Sequence, residues 1–406
     1  MSSLAATSVS RAAGSAAKAA TAFTASGAAF QPRKVFEASK DTTKSYFLGH
    51  HHAALEEMRR TISHVGLILE CRDFRVPITS WNPLLERTLA NSPAERKRII
   101  VYTKRDLGPP GGKGDARQDG NRIIETLTQY HARRKDCEAA VFLTAGADRA
   151  TIARDGKLLA TIKRVARDAD SLLGLKALIV GMPNAGKSTL LNRLRARGMG
   201  KGKAAKTGAQ PGITRRLGTP VRIVDRESPS SSSSSEMTAL GDDDGNAGVG
   251  EGVFLVDTPG VFVPYVSDPE SMLKLSLVGC VRDGLVPSLT LADYLLFQLN
   301  LRDPALYRRF CGPTNDVHEL LEAVAQRTGK MLRGGVASKE AAADWLLQEW
   351  RRGKLGKFLL DEVTPETLEA AVYAAENPAL SLNHAKKLEK EARKARQEAK
   401  RTGNNS

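Results

Sequence analysis

Residues 181–189 read Gly-Met-Pro-Asn-Ala-Gly-Lys-Ser-Thr and satisfy the spacing G-x-x-x-x-G-K-[ST]. Such a run suits a loop that wraps phosphate oxygens. Gly181 and Gly186 let backbone N–H groups approach, the Lys187 ammonium neutralises β and γ phosphates, and the Ser188 hydroxyl reaches a magnesium ion. Asn184, Ala185 and Thr189 fill the remaining phosphate-facing positions. The apolar run GLKALIV (174–180) precedes the loop and LLNRLRAR (190–197) follows it, the strand and helix that this chemistry requires. Downstream, Asp257-Thr258-Pro259-Gly260 ends a second apolar run, GVFLV (252–256). A carboxylate there holds magnesium through water, and the Gly260 N–H senses a γ-phosphate. Between the two, PGIT (211–214) places Thr214 in a loop, as a switch threonine that completes the metal's coordination only when the γ-phosphate is present. Ser188, Thr214 and Asp257 form the expected metal set.

A base in the same site needs a reader, and a guanine reader is a carboxylate that accepts two hydrogen bonds beside a lysine whose stem packs on the ring. Nothing suitable follows residue 260. Upstream, Thr103-Lys104-Arg105-Asp106 ends the run RIIVY (98–102), and Thr144-Ala145-Gly146 ends AAVFL (139–143). One such turn is usually just a solvated turn; two at successive strand ends, in a chain that also carries a phosphate loop, are informative. Thr103, Lys104, Asp106, Thr144 and Ala145 are the expected base contacts.

The elements that must position these groups are short apolar runs at 64–70, 98–102, 139–143, 174–180 and 252–256, separated by stretches long enough for helices. That alternation predicts a parallel α/β sheet. PVRIVD (220–225) and GVFLVD (252–257) should form a hairpin whose tip carries 226–251, a disordered insertion with serines at 230–235 and aspartates at 242–244. From residue 268 onward EAAADWLLQEW (340–350) and PETLEAAVYAA (365–375) suggest amphipathic helices and a second, helical domain.

The 406 residues are enough for two or three domains. No apolar run approaches the roughly 20 residues of a membrane span. Cys71, Cys137, Cys280 and Cys311 lie too far apart for a zinc site or a disulfide framework, which fits a reducing compartment. The net charge of +16 favours an anionic partner such as nucleic acid. Residues 1–36 contain no acidic residue, nine Ser and Thr, and Arg11, Lys18, Arg33 and Lys34, the composition of a mitochondrial transit peptide. Residues 385–401 hold eight basic and three acidic residues, part of a basic tail that runs to 406 with almost no apolar face.

The motif order, base-reading turns before phosphate loop, resembles that of the circularly permuted GTPases. YFLGHHHAALEEM (46–58) resembles the F-P-G-H-M-x-K-A segment of the RbgA/YlqF ribosome-assembly family and its mitochondrial members. CRDFRVPITSWNP (71–83) resembles that family's D-A-R-x-P-x-S-S-x-N-P. The resemblance spans residues 44–380. It implies an α/β fold with a circularly permuted Ras-like P-loop GTPase domain at 37–267 and a smaller all-α domain at 268–384 that contacts ribosomal RNA. It implies a GTP hydrolase, with GTP, GDP and Mg2+ as ligands, that binds the mitochondrial large ribosomal subunit and its rRNA and uses slow hydrolysis as a switch in subunit assembly. The expected protein is monomeric and resides in the mitochondrial matrix, with peripheral association with the inner membrane left open.

Departures from the family pattern bear on mechanism. Thr103 replaces an Asn, which would weaken a structural hydrogen bond while leaving Asp106 to specify guanine. Leu48 replaces a Pro, His51 stands in place of a Met, and His50 matches the family's histidine, a candidate for acting on the attacking water. Val261 follows the DTPG run and cannot orient water. Asn184 then has two open roles, holding a potassium ion that supplies charge, or only stabilising the loop. Two rivals also stay open: an RNA-binding assembly factor with a structural nucleotide site, and an ATP-using P-loop enzyme opposed by Asp106.

Overall fold

Three strands are buried almost from end to end, Leu67–Asp73 (β1), Lys97–Thr103 (β2) and Leu175–Gly181 (β4), because each lies between parallel neighbours and is covered on both faces. They occupy the middle of a six-stranded sheet completed by Cys137–Phe142 (β3), Val221–Val224 (β5) and Val253–Asp257 (β6), in the order β3-β2-β1-β4-β6-β5. All neighbours are parallel except β5 and β6, the expected hairpin. The computed structural model describes residues 30–37, 60–90, 96–112, 119–146, 148–205, 218–226, 249–260 and 268–376. His50 and the 46–58 segment, Thr214, Val261, most of the 226–251 insertion, residues 1–29 and the basic tail lie outside them.

Pairing register sets up the site. Asp73 lies opposite Thr103, Cys71 opposite Gly181, and Ile179 opposite Asp257, so the ends of β1, β2, β4 and β6 come level with one another. In a parallel α/β sheet the carboxyl ends of the strands form the ligand crevice. Strand β2, which carries the turn expected to read a base, precedes the phosphate-loop strand β4 in the chain, with only β1 between them in the sheet, which is the permuted arrangement.

Helices cover the sheet: Pro83–Ala90 (α1), Gly120–Ala132 (α2), Arg149–Asp168 (α3) and Lys187–Met199 (α4). Gly198 of α4 lets this helix lie directly on β5, where a β-carbon would fall 1.9 Å from the Ile223 carbonyl oxygen. The strand faces also carry buried charge. Arg72 Nε donates to Glu70 at 2.7 Å, and Arg98 bonds both Glu70 and Glu86. Burial works against ionisation of Glu86, yet the Arg98, Arg72 and Arg134 guanidiniums hold it at about 2.

The chain divides into two compact units, residues 38–287 with 351–406, and residues 1–37 with 288–350. This differs from the expected boundaries at 268 and 384. Pro269–Leu277 (α5) and Pro365–Glu376 (α9) belong with the sheet. Leu359 of the returning segment and Leu368 of α9 join Phe74, Trp81, Ile100, Tyr102, Ile123 and Leu127 in one core cluster. The apolar face of PETLEAAVYAA announces that this helix needs a partner and cannot say which one. The second unit contains Ser288–Arg302 (α6), Val317–Thr328 (α7) and Lys339–Arg351 (α8), the last reaching the boundary. Its core includes Leu295, Leu299, Leu321, Val324, Leu346 and Trp350. A buried polar knot joins α6 to the segment before α7: Tyr307 Oη donates to Asn300 Oδ1 at 2.7 Å and accepts from Thr314 N at 3.0 Å. Among the described residues, no helix is long and apolar enough to cross a membrane.

Candidate nucleotide site

The loop between β4 and α4 has the shape its glycines predict. Gly186 caps α4 with φ +88°, and Asn184 also adopts a left-handed conformation, φ +56°. Left-handed backbone is unfavourable for most side chains and is tolerated best by Gly, then Asn and Asp. Lys187 is buried, its Nζ donating to the carbonyls of Gly181 at 3.1 Å and Met182 at 2.9 Å, so the ammonium sits across the mouth of its own loop. Burial pulls its pKa down, opposed mainly by the Asp257 carboxylate.

Ser188 Oγ donates to Asp257 Oδ2 at 2.6 Å. Burial pushes the Asp257 carboxyl up, against that hydrogen bond and the Lys187 charge. Its other oxygen, Oδ1, is buried with no hydrogen-bond partner among the described residues. A hydroxyl and a half-satisfied buried carboxylate side by side, at the start of a phosphate-loop helix, fit a hard divalent cation with oxygen ligands. Thr258 anchors the end of β6 by donating to the Ile179 carbonyl at 2.7 Å, and Gly260 is pressed against Pro183, where a β-carbon would lie 2.5 Å from its Cα.

The turn expected to read a base is tied to this loop. Thr103 Oγ1 donates to the Ala185 carbonyl at 2.8 Å and to the Arg72 carbonyl at 3.2 Å. The shorter hydroxyl spans β2 to the phosphate loop. Lys104 Nζ donates to the Asn184 carbonyl at 2.8 Å and to Asp73 Oδ2 at 2.9 Å. Asp106 Oδ1 accepts from Ala145 N at 2.9 Å, so the second turn aims the carboxylate of the first. The Thr144 carbonyl accepts from Arg193 Nη1 at 2.6 Å, which links that turn to α4. The predicted site residues among those described lie at the strand ends: Thr103, Lys104 and Asp106 at the end of β2, Thr144 and Ala145 after β3, the loop after β4 with the first turn of α4, and Asp257 and Gly260 at the end of β6. Thr189 follows Ser188 in the first turn of α4.

Several participants were missed. Asp73 is fully buried and accepts from Arg75 N, Nε and Nη2 as well as from Lys104; burial opposes its charge, but Arg75 and Lys104 hold it well below the usual carboxylate range. The available signal was a run of charged residues, Arg72, Asp73 and Arg75, at the end of an apolar strand. Arg75 continues to the Val278 carbonyl at 3.1 Å, and Asn184 Nδ2 donates to the Gly279 carbonyl at 2.8 Å. The turn after α5 is thus fastened to the phosphate loop. Asp361 Oδ2 accepts from Ile78 N at 2.9 Å and Thr79 N at 2.7 Å, pinning the 71–83 segment from far along the chain. No local pattern marked it.

The family described as "50S ribosome-binding GTPase" matches residues 176–319, a stretch that begins inside β4 and so leaves β1, β2 and β3 upstream. Mitochondrial GTPase 1 of Schizosaccharomyces pombe is 33% identical over 357 residues, 86% of this chain and 98% of that protein. Mitochondrial ribosome-associated GTPase 1 of Xenopus tropicalis is 29% identical over 346 residues, covering 81% of this chain and 98% of its own length. Ribosome biogenesis GTPase A of Priestia megaterium is 26% identical, with 79% and 97% covered.

Proposed function

The chain belongs to the mitochondrial members of the RbgA/YlqF-type GTPase family, and on that premise we propose that its GTP hydrolysis times a step in assembly of the mitochondrial large ribosomal subunit. The observation that carries this reading is that Thr103 and Lys104, at the end of β2, donate to Ala185 and Asn184 in the loop that leads to Ser188 and its partner Asp257, while Asp106 of the same turn accepts from Ala145 N. Base recognition and phosphate recognition share one frame. In this reading Asp106 accepts the guanine N–H groups, Lys104 covers the ring, Lys187 neutralises the β and γ phosphates, and Thr144 and Ala145 close the base pocket. Magnesium, held by Ser188 and Asp257 and by Thr214 in the triphosphate state, would neutralise charge on the phosphates. Asp257 and Gly260 report loss of the γ-phosphate to the segment leading into α5.

Val261 leaves the attacking water without a polar guide from its side chain, so intrinsic turnover is slow and the subunit stimulates it. His50 is the candidate to act on that water. Potassium is the candidate source of extra charge at Asn184; equal turnover in potassium and sodium would leave Asn184 with its loop role alone. The rRNA contacts come from the helical region and the basic tail, with an affinity that falls steeply with salt. A leader within residues 1–36 directs the protein to the matrix, where it works as a monomer, free or peripheral to the inner membrane.

Sedimentation of the tagged protein from mitochondrial lysate tests the reading. It should travel with the large subunit in a non-hydrolysable GTP analogue and leave it in GDP. Equal co-migration in both states would support an RNA-binding scaffold instead, and free protein in both would overturn the ribosomal assignment.

A further inference from the structure

Residues 30–37 lie far from the helical unit in sequence but belong to it in space. Asn315 grips their backbone from both sides, its Nδ2 donating to the Gln31 carbonyl at 2.9 Å and its Oδ1 accepting from Arg33 N at 3.4 Å. The same amide is steadied from behind by buried Asn300, whose Nδ2 lies 3.3 Å from Asn315 Oδ1. The Arg33 guanidinium forks onto Asp293, Nη2 to Oδ1 at 2.5 Å and Nη1 to Oδ2 at 3.2 Å. Phe36 stands edge-on to Tyr294 at 5.1 Å between ring centres and packs on Phe297 at 5.6 Å. Tyr294 and Phe297 are buried with this strap in place.

We propose that residues 30–37 are a permanent strap of the helical unit, so that the leader removed on import ends upstream of Phe30 rather than at residue 36. The inference rests on the leader reading above. A cut after Phe36 would strip Asp293 of its guanidinium, leave the Asn315 amide without the strap's backbone, and uncover Tyr294 and Phe297. A bidentate arginine–carboxylate pair with an aromatic anchor one turn of chain away is a built contact. The step itself is hydrolysis of one peptide bond by a processing endopeptidase, water giving its hydroxyl to the leader's new carboxyl and its hydrogen to the mature chain's new amine. Arg11 and Lys18 then carry the leader's positive charge, while Arg33 and Lys34 stay with the mature protein.

The test is import of the full precursor into isolated mitochondria, with the first residue of the mature chain read by mass spectrometry. A first residue at or before Phe30 is expected; one at Gln31 or later overturns the strap while leaving the leader reading intact. A chain that enters uncut overturns the leader reading, and the strap is then judged by a second measurement on the complete recombinant protein. There the Arg33→Ala/Phe36→Ala double variant should melt about 4 °C or more below the parent, whereas Lys34→Ala, at an exposed strap position, should leave the midpoint unchanged. Equal midpoints for the double variant and the parent would remove the strap from the fold.

Discussion

Replacing Thr103 with Val keeps the size, branching and strand preference of the side chain and deletes only the hydroxyl. That hydroxyl is buried and donates to two carbonyls, Ala185 at 2.8 Å and Arg72 at 3.2 Å. The first distance is a good hydrogen bond and the second a weaker branch of the same donor. Losing a donor from a buried acceptor costs about 1–3 kcal/mol. A neutral donor shared unequally between two acceptors belongs in the lower half of that range, about 1–2 kcal/mol. Ala185 is part of the loop that surrounds the phosphates, so most of this cost falls on holding the loop in its binding shape. Since about 1.4 kcal/mol is a tenfold change, GTP and GDP affinity should both fall by roughly 5- to 30-fold. Titration with a fluorescent guanine nucleotide measures the loss, thermal unfolding measures the share that reaches global stability, and Thr103→Ser should restore binding to within about twofold. If the valine variant binds both nucleotides and melts as the parent does, the proposed tie between β2 and the phosphate loop is wrong.

Asp106→Asn removes the carboxylate that Ala145 N orients and should move preference from GTP toward xanthosine triphosphate; unchanged preference would remove Asp106 from base recognition. Ser188→Ala deletes the hydroxyl that would hold magnesium beside Asp257, so magnesium-dependent GTP affinity should drop roughly 10- to 100-fold, read by titration with and without chelator. Because burial raises the Asp257 pKa and metal binding needs the ionised form, this magnesium dependence should be lost on acidification at a higher pH than for an exposed aspartate. His131 is buried against the Tyr102 hydroxyl at 2.9 Å; burial and the Arg72, Arg98 and Arg134 charges hold its pKa at about 2. Between that value and the unfolded value of about 6.5 the unfolded chain binds the extra proton, so stability rises with pH across this window. His131→Gln should flatten the profile between about pH 6.5 and 5 in denaturant titrations, and an unaltered slope would clear His131 of the effect.

The strands and phosphate loop were readable because their signals are local. An apolar run ending in G-x-x-x-x-G-K-[ST] can do little else, and the order of TKRD, TAG and the loop already implies a permuted sheet. The buried charges were not readable, since Glu70, Arg72 and Arg98 sit in strands where one expects apolar side chains and are tolerable only because they neutralise one another across β1 and β2. The domain boundary failed for a related reason. An amphipathic helix such as Pro365–Glu376 shows that it packs, while its partners Phe74, Ile123 and Leu127 lie hundreds of residues earlier. Asp361 and Asn315 are similar cases: polar residues of ordinary type whose roles come from backbone groups supplied by distant segments.

The permuted order of the sheet has a consequence in time. A chain that emerges from a ribosome or a translocation pore amino end first presents β1, β2 and β3 before any residue of the phosphate loop exists. Asp106 and its orienting partner Ala145 are both in hand at that stage, and Asp73 already has Arg75 and Lys104 to neutralise it. The Thr103 hydroxyl and the second bond of Lys104 must wait for Ala185 and Asn184. Arrival of the phosphate loop therefore supplies the partners of the turn after β2, and the Ser188–Asp257 pair follows only once β6 is made. The chain thus holds both turns expected to read a base before it holds any residue expected to hold a phosphate.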